Sequence, residues 1–67
     1  MNIESVSKLI IKRRSVLGID QKTLSEISGV AVHSLSNIEA GKGNPTLSTL
    51  SLILDALGME LHIRIKE

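Results

Sequence analysis

The 67-residue sequence contains no cysteine, no phenylalanine, tyrosine or tryptophan, and a single proline. Without cysteine, neither a disulfide nor a thiolate metal site can staple the fold. Without aromatics, the core has to be built from Leu, Ile, Val and Ala. A large excess of one charge is also missing. Eight Lys and Arg face seven Asp and Glu, for a net charge of +1. That is a weak electrostatic footprint for a polyanion, so the distribution carries more than the total. Lys8, Lys12, Arg13 and Arg14 crowd the first predicted helix, and Lys42 follows the third. No apolar run approaches the ~20 residues that span a bilayer. The opening MNIESVSK has no basic head followed by an apolar stretch. The expectation is a cytoplasmic protein with no membrane association. His33 and His62 stand on different predicted elements, without metal-ligand spacing or a clustered carboxylate. No phosphate-cradling glycine motif or nucleophile arrangement is present. The expectation is therefore no enzyme, no cofactor and no metal.

What is present is apolar periodicity. Hydrophobic residues make up 42% of the chain, which suits a compact helical domain and argues against disorder. A chain of this length buries only about 60% of its unfolded surface. Packed helices, a partner, or both must supply its stability. Ile3, Val6, Ile10 and Leu17 fall on one stripe and predict a helix over Ile3–Leu17, stopped by Gly18. Asp20 reads as the N-cap of a helix over Gln21–Ser28, with Leu24 and Ile27 inward. Gly29 marks a turn and Val30 a core plug. Leu35 and Ile38 give the inner face of a helix over Val32–Ala40, ended by Gly41. Lys42, Gly43, Asn44 and Pro45 form a polar loop. Thr46 caps a helix over Leu47–Leu57, whose stripe is Leu47, Leu50, Ile53, Leu54 and Leu57. Gly58 follows as its stop.

The segment Gln21–Pro45 is the most specific part. Two short amphipathic helices joined by a glycine turn form a helix-turn-helix, whose second helix can enter a DNA major groove. His33, Ser34, Ser36 and Asn37 lie on the outward arc of that second helix. An asparagine can offer adenine a bidentate pair, and a histidine can donate to guanine. Val32 can pack on a thymine methyl.

The tail changes period. Met59, Leu61, Ile63 and Ile65 alternate with Glu60, His62, Arg64 and Lys66, a pattern of two that predicts a half-buried strand. The chain offers no second strand to pair with. A strand of a second copy across a two-fold axis would satisfy its backbone. The expected division is residues 1–58 as a DNA-binding domain and 59–67 as a dimerisation tail.

Gln21, Leu24, Gly29-Val30, Leu35-Ser36, Ile38-Glu39, Gly41, Asn44-Pro45, Thr49-Leu50 and Ala56-Leu57-Gly58 form an ordered set. On these residues the chain, from about Val6 to Met59, resembles the lambda-repressor-like, Cro/C1-type (Xre) helix-turn-helix family. The resemblance implies an all-α bundle of four to five helices, here with a short C-terminal β-strand in place of a fifth helix. That combination is similar to the HipB-type antitoxins, in which such a strand helps build a homodimer. The resemblance further implies that Gln21 binds a DNA phosphate and braces the recognition helix. It places base readout at Val32, His33 and Asn37, with Ser34 and Ser36 nearby. It places phosphate contacts at Lys42 and Asn44 of the following loop, and a structural ion pair at Arg14 and Glu39. Ala31 departs from the family's usual Ser or Thr cap, and Val32 from its usual polar residue. The function implied is a dimeric, sequence-specific transcriptional repressor of a palindromic double-stranded operator. The short length and the strand-like tail point to the antitoxin of a toxin–antitoxin module, with a toxin as protein partner. The alternative is a phage-type or metabolic regulator without a toxin.

Overall fold

The computed structural model describes residues 2–66. Residues 1 and 67, the outer ends of the two expected segments, lie outside the described residues. Four helices follow one another: α1 over Ile3–Leu17, α2 over Gln21–Ser28, α3 over Val32–Glu39 and α4 over Leu47–Ala56. Three of them start on a side chain that accepts an otherwise orphaned backbone N–H. Asn2 Oδ1 accepts from Ser5 N at 2.9 Å, Asp20 Oδ1 from Thr23 N at 2.7 Å, and Thr46 Oγ1 from Thr49 N at 3.1 Å. Ala31 opens α3 without a side-chain bond. The carboxyl of Asp20 is held below its ordinary value, first by the backbone N–H of Thr23.

The core draws on all four helices. Val6 and Ile10 come from α1, Leu24 from α2, Leu35 and Ile38 from α3, and Leu50, Ile53 and Leu54 from α4. Val30 in the α2–α3 turn and Leu57 at the end of α4 complete it. Ile10, Leu24, Leu35, Ile53 and Leu57 are fully buried. Val30 is the plug that its place after Gly29 predicts. The chains of α1 and α3, α2 and α4, and α2 and α3 pack against each other, so α3 is held by both preceding helices.

Three apolar residues expected inside are exposed: Leu17, Ile27 and Leu47. In α2 the inward arc passes through Leu24 and Ser28, four apart, rather than Leu24 and Ile27. Ser28 is buried because its hydroxyl accepts the N–H of Val30 at 3.2 Å and so closes the turn. Leu17 is the last residue of α1, and after Gly18 it is Ile19 that returns to the core. Leu47 occupies the first turn of α4, a turn before its first buried residue, Leu50.

The strand expected over the tail is absent among the described residues. Residues 59–66 are neither helix nor strand. A ladder needs a second strand, and one copy of this chain has none to offer. Met59 and Leu61 instead fold against the helical core. Ile63 and Ile65 have nothing beneath them and are 90% and 95% exposed.

The uncapped start of α3 has a measurable consequence. Ala31 has φ −59° and ψ 143°, backbone that a capping residue can adopt. Ala31→Ser is expected to raise stability by about 1 kcal/mol, read as a higher urea midpoint with an unchanged slope. An unchanged midpoint would mean that the serine hydroxyl does not reach the α3 amides.

Candidate nucleic-acid interface

α3 is positioned by one carboxylate. Glu39, its last residue, has a side chain only 7% exposed. Arg14 meets it with two parallel bonds, Nε to Oε2 at 2.9 Å and Nη2 to Oε1 at 2.8 Å. The remaining Arg14 nitrogen, Nη1, donates to the Ile19 carbonyl at 3.0 Å. Gln21 Nε2 donates to the same Glu39 Oε1 at 3.2 Å. The end of α1, the α1–α2 turn, the start of α2 and the end of α3 thus converge on Glu39. Burial pushes the Glu39 carboxyl up, but the bonds from Arg14 and Gln21 and the Arg14 charge outweigh it. The net effect holds the group below its ordinary value. Arg14 is raised, chiefly by its bond to Glu39. A fork-to-fork pair of this kind fixes orientation as well as distance.

Beyond Glu39 the chain turns sharply. Gly41 N–H bonds the Ile38 carbonyl and Lys42 N–H bonds the Asn37 carbonyl, each at 3.0 Å. This is a Schellman stop. Gly41 has φ +75° there, a conformation that residues with a Cβ adopt only under strain. The stop folds the loop back beside the helix. Ser34, Asn37, Lys42 and Asn44 consequently line one shallow concavity, with Pro45 as part of its wall. Ser36, Asn37, Lys42 and Asn44 are exposed, and Ser34 is half-buried. Val32 and His33 are exposed in the first turn of α3, Val32 at 42%. They do not line that concavity. Gln21 is half-buried at the head of α2, its amide committed to Glu39.

The arrangement presents amide, hydroxyl and ammonium groups from one helix and its following loop. Asn and Ser can address base edges, and Lys and backbone amides can address phosphates. Two side-chain placements, one in the interface and one in its support, were not legible in the sequence. Thr49 also lines the concavity, and its hydroxyl bonds Thr46 at 3.1 Å; it faces the loop because Thr46 caps α4. Arg13, one of the four cations that crowd α1, donates Nε to the Leu57 carbonyl at 2.9 Å. It ties α1 to the end of α4. A basic residue near a helix C-terminus is the only sequence signal for such a bond, and here the two lie 44 positions apart.

This geometry defines a helix-turn-helix protein: two short helices across a glycine turn, the second with a polar outer face. The sequence matches the helix-turn-helix family over residues 10–63. The chain belongs to the Cro/C1-type helix-turn-helix family, a family of DNA-binding transcriptional regulators. It is 45% identical over 56 residues to a protein of Haemophilus influenzae described as an uncharacterized HTH-type transcriptional regulator. That stretch is 84% of this chain and 57% of the relative, so the chain spans little more than half the relative's length. No helix among the described residues is long and apolar enough to cross a membrane.

Removing Arg14 would leave Glu39 a nearly buried carboxylate with only Gln21 as partner. Arg14→Ala is expected to cost about 3 kcal/mol, read by urea denaturation at pH 7. An unchanged stability would assign Arg14 to the surface. The pH dependence has a definite sign. Because the folded-state value of Glu39 is depressed, its contribution is present above the ordinary value of 4.5 and is lost as pH falls below it. The stability gap between the native chain and Glu39→Gln should therefore narrow below about pH 4.5. A gap that is flat with pH would remove the carboxylate from this role.

Proposed function

We propose that this chain is a sequence-specific transcriptional repressor that binds a palindromic operator as a dimer. The observation that carries the reading is the exposed face of α3, Val32, His33, Ser36 and Asn37, running into the Lys42–Asn44 loop and held at its far end by Glu39. Val32, His33 and Asn37 read bases, with Ser34 and Ser36 as neighbours. Gln21, Lys42 and Asn44 hold phosphates, which set the register of the protein on the duplex. Gln21 reaches its phosphate with the second proton of Nε2, since the first is given to Glu39. One recognition helix spans only a few base pairs. A two-fold dimer placing two such helices ~34 Å apart reads two half-sites on one DNA face. The tail residues Met59, Leu61, Ile63 and Ile65 supply the dimer contact. Repression takes place in the cytoplasm, where the operator is.

A second protein partner is part of the reading. The resemblance to HipB-type antitoxins supports a toxin as that partner. Leu9, Val16 and Ile27, each more than half exposed, leave apolar surface for it on α1 and α2. The relative's description as an HTH-type transcriptional regulator supports the regulatory role that the antitoxin and the simple regulator share. Co-purification from the native source separates the two. A stoichiometric larger partner supports the antitoxin, and a chain that elutes alone supports the simple regulator.

Two substitutions distinguish base from phosphate contact. Asn37→Ala is expected to cost about 1–3 kcal/mol on the operator and to relax preference at one base pair. Lys42→Ala is expected to weaken binding to every sequence alike and to lower the salt slope by about one. Both are read by titrating labelled operator against competitor DNA over a salt series. A changed base preference in Lys42→Ala, or none in Asn37→Ala, would contradict the assignments.

A further inference from the structure

The concavity between α3 and the loop that follows it is lined by one kind of chemistry. Ser34 and Asn37 supply its α3 wall, Lys42 and Asn44 its loop wall, and Thr49 enters from the first turn of α4. All five carry a hydrogen-bond donor, and no acidic residue lines the space. The open groove beside α4 differs in this respect, since Asp55 and Glu60 line it. The loop adds two main-chain donors. The N–H groups of Gly43 and Asn44 reach no backbone carbonyl among the described residues. The concavity has a volume of about 210 Å³, below the ~300–1,000 Å³ of pockets that enclose a small molecule. It has room for a chemical group rather than for a whole ligand.

The Thr49 hydroxyl has a defined polarity. Thr46 Oγ1 accepts the Thr49 N–H at 3.1 Å and donates its own proton to Thr49 Oγ1, also at 3.1 Å. Thr49 Oγ1 is thereby an acceptor toward Thr46, and its own proton is left to donate to whatever occupies the concavity. We propose that the concavity seats one phosphodiester group of the DNA backbone, and that Thr49 is a binding residue for it. The Thr49 hydroxyl donates to one phosphate oxygen, and the Lys42 ammonium supplies the opposite charge. This rests on the DNA-binding reading given above and adds to it a residue and a bounded seat.

The donor set and its placement favour a phosphate over a base edge. Among the base edges only guanine presents two acceptors and no donor in the major groove. It is reached by side chains that project from the helix lying in the groove. Lys42 and Thr49 stand outside α3, on the loop and on the next helix. The acceptor within their reach is the backbone at the rim of the groove, which presents oxygens and negative charge only. The walls are tied to one another. Lys42 N–H bonds the Asn37 carbonyl at 3.0 Å, which joins the loop wall to the α3 wall. Pro45 restricts the entry into α4, and the Thr46 cap then sets Thr49 at the side of the loop. Thr46 so has two roles. It satisfies an orphan N–H of α4, and it turns the Thr49 hydroxyl into a donor for the concavity. In the sequence Thr49 is one more polar residue in a first helical turn, with no signal of either neighbour.

Thr49→Val removes the hydroxyl and keeps the branched shape, and Thr49→Ser keeps the hydroxyl. In both, Thr46 still caps the N–H of residue 49, so the urea midpoint is expected to stay near the native one. Thr49→Val is expected to weaken binding to operator and competitor DNA alike, about fivefold, with base preference unchanged. Its salt slope stays native, because a hydroxyl displaces no counterion, whereas Lys42→Ala lowers the slope. Thr49→Ser is expected to bind as the native chain does. A hydroxyl that only braced the loop would also weaken binding, so the decisive reading is taken on the DNA. Operator phosphates are replaced one at a time by uncharged methylphosphonates. The native chain loses affinity at each phosphate it contacts. Thr49→Val and Lys42→Ala are both expected to lose least at one and the same phosphate, the one seated in the concavity. Native binding by Thr49→Val, a loss spread evenly over all phosphates, or insensitivity of the two variants at different phosphates overturns the seat and leaves the repressor reading standing. A native chain that binds no DNA overturns both together.

Discussion

Glu39 is the point at which the helices are tied together. Its carboxylate, almost out of water, accepts two bonds from Arg14 and one from Gln21. A buried carboxylate is costly unless its lone pairs are occupied, so the geometry around it is demanding. Arg14 has to come from the last turn of α1 and Gln21 from the first residue of α2. Their shared target has to be the last residue of α3. A shift of any of these elements lengthens or misaligns a bond, and bonds of this kind weaken steeply with misalignment. The apolar core can tolerate repacking, because burial is roughly proportional to area and has no direction. The ion pair adds the direction. It fixes where α3 ends, and the Gly41 stop then determines where the Lys42–Asn44 loop begins.

The same division of labour recurs at the other end of the molecule. Leu57 is fully buried, and its carbonyl is held by Arg13. Gly58 then turns the chain out of α4, its N–H bonded to the Asp55 carbonyl at 3.0 Å. A Cβ at Gly58 would come within 3.4 Å of Arg13 Nη2. The exit of the tail is therefore as well defined as the end of α3, although the tail beyond Leu61 is bare. A domain of this size has little core to spare. Two nearly fully exposed isoleucines on a defined exit are surface that a second molecule can use.

Much of the candidate interface was legible in advance. The helix-turn-helix follows from the spacing of Leu24, Gly29, Val30, Leu35, Ile38 and Gly41, and all but the two glycines are buried core residues. The outward arc of α3 follows from the same spacing, because a helix whose inner face is known has a known outer one. Less visible was the grouping within that arc. Ser34 and Asn37 share a concavity with Lys42 and Asn44, while Val32 and His33 stand a turn away. That depends on how the Schellman stop folds the loop back. Gln21 illustrates the limit most clearly. Its position at the head of α2 was readable, but its bond to Glu39 joins residues 18 apart.

Local signals determined the helices, because capping and stopping are short-range events. α1 ends where Gly18 places its stop, α2 starts and ends where Asp20 and Gly29 place it, and α3 and α4 end a single residue before the expected limit. Period alone divided each helix into faces. It could not say how much of a face would be covered, since that depends on where the other helices lie. Leu17, Ile27 and Leu47 satisfied the period and ended exposed, while Ser28 was drawn inside by a hydrogen bond. The tail is the extreme case. Its alternation encodes one buried and one solvated face, yet a strand is a property of two segments. Within one chain the pattern has no partner, so the tertiary fold half-buries Met59 and Leu61 against the helices and leaves Ile63 and Ile65 in water.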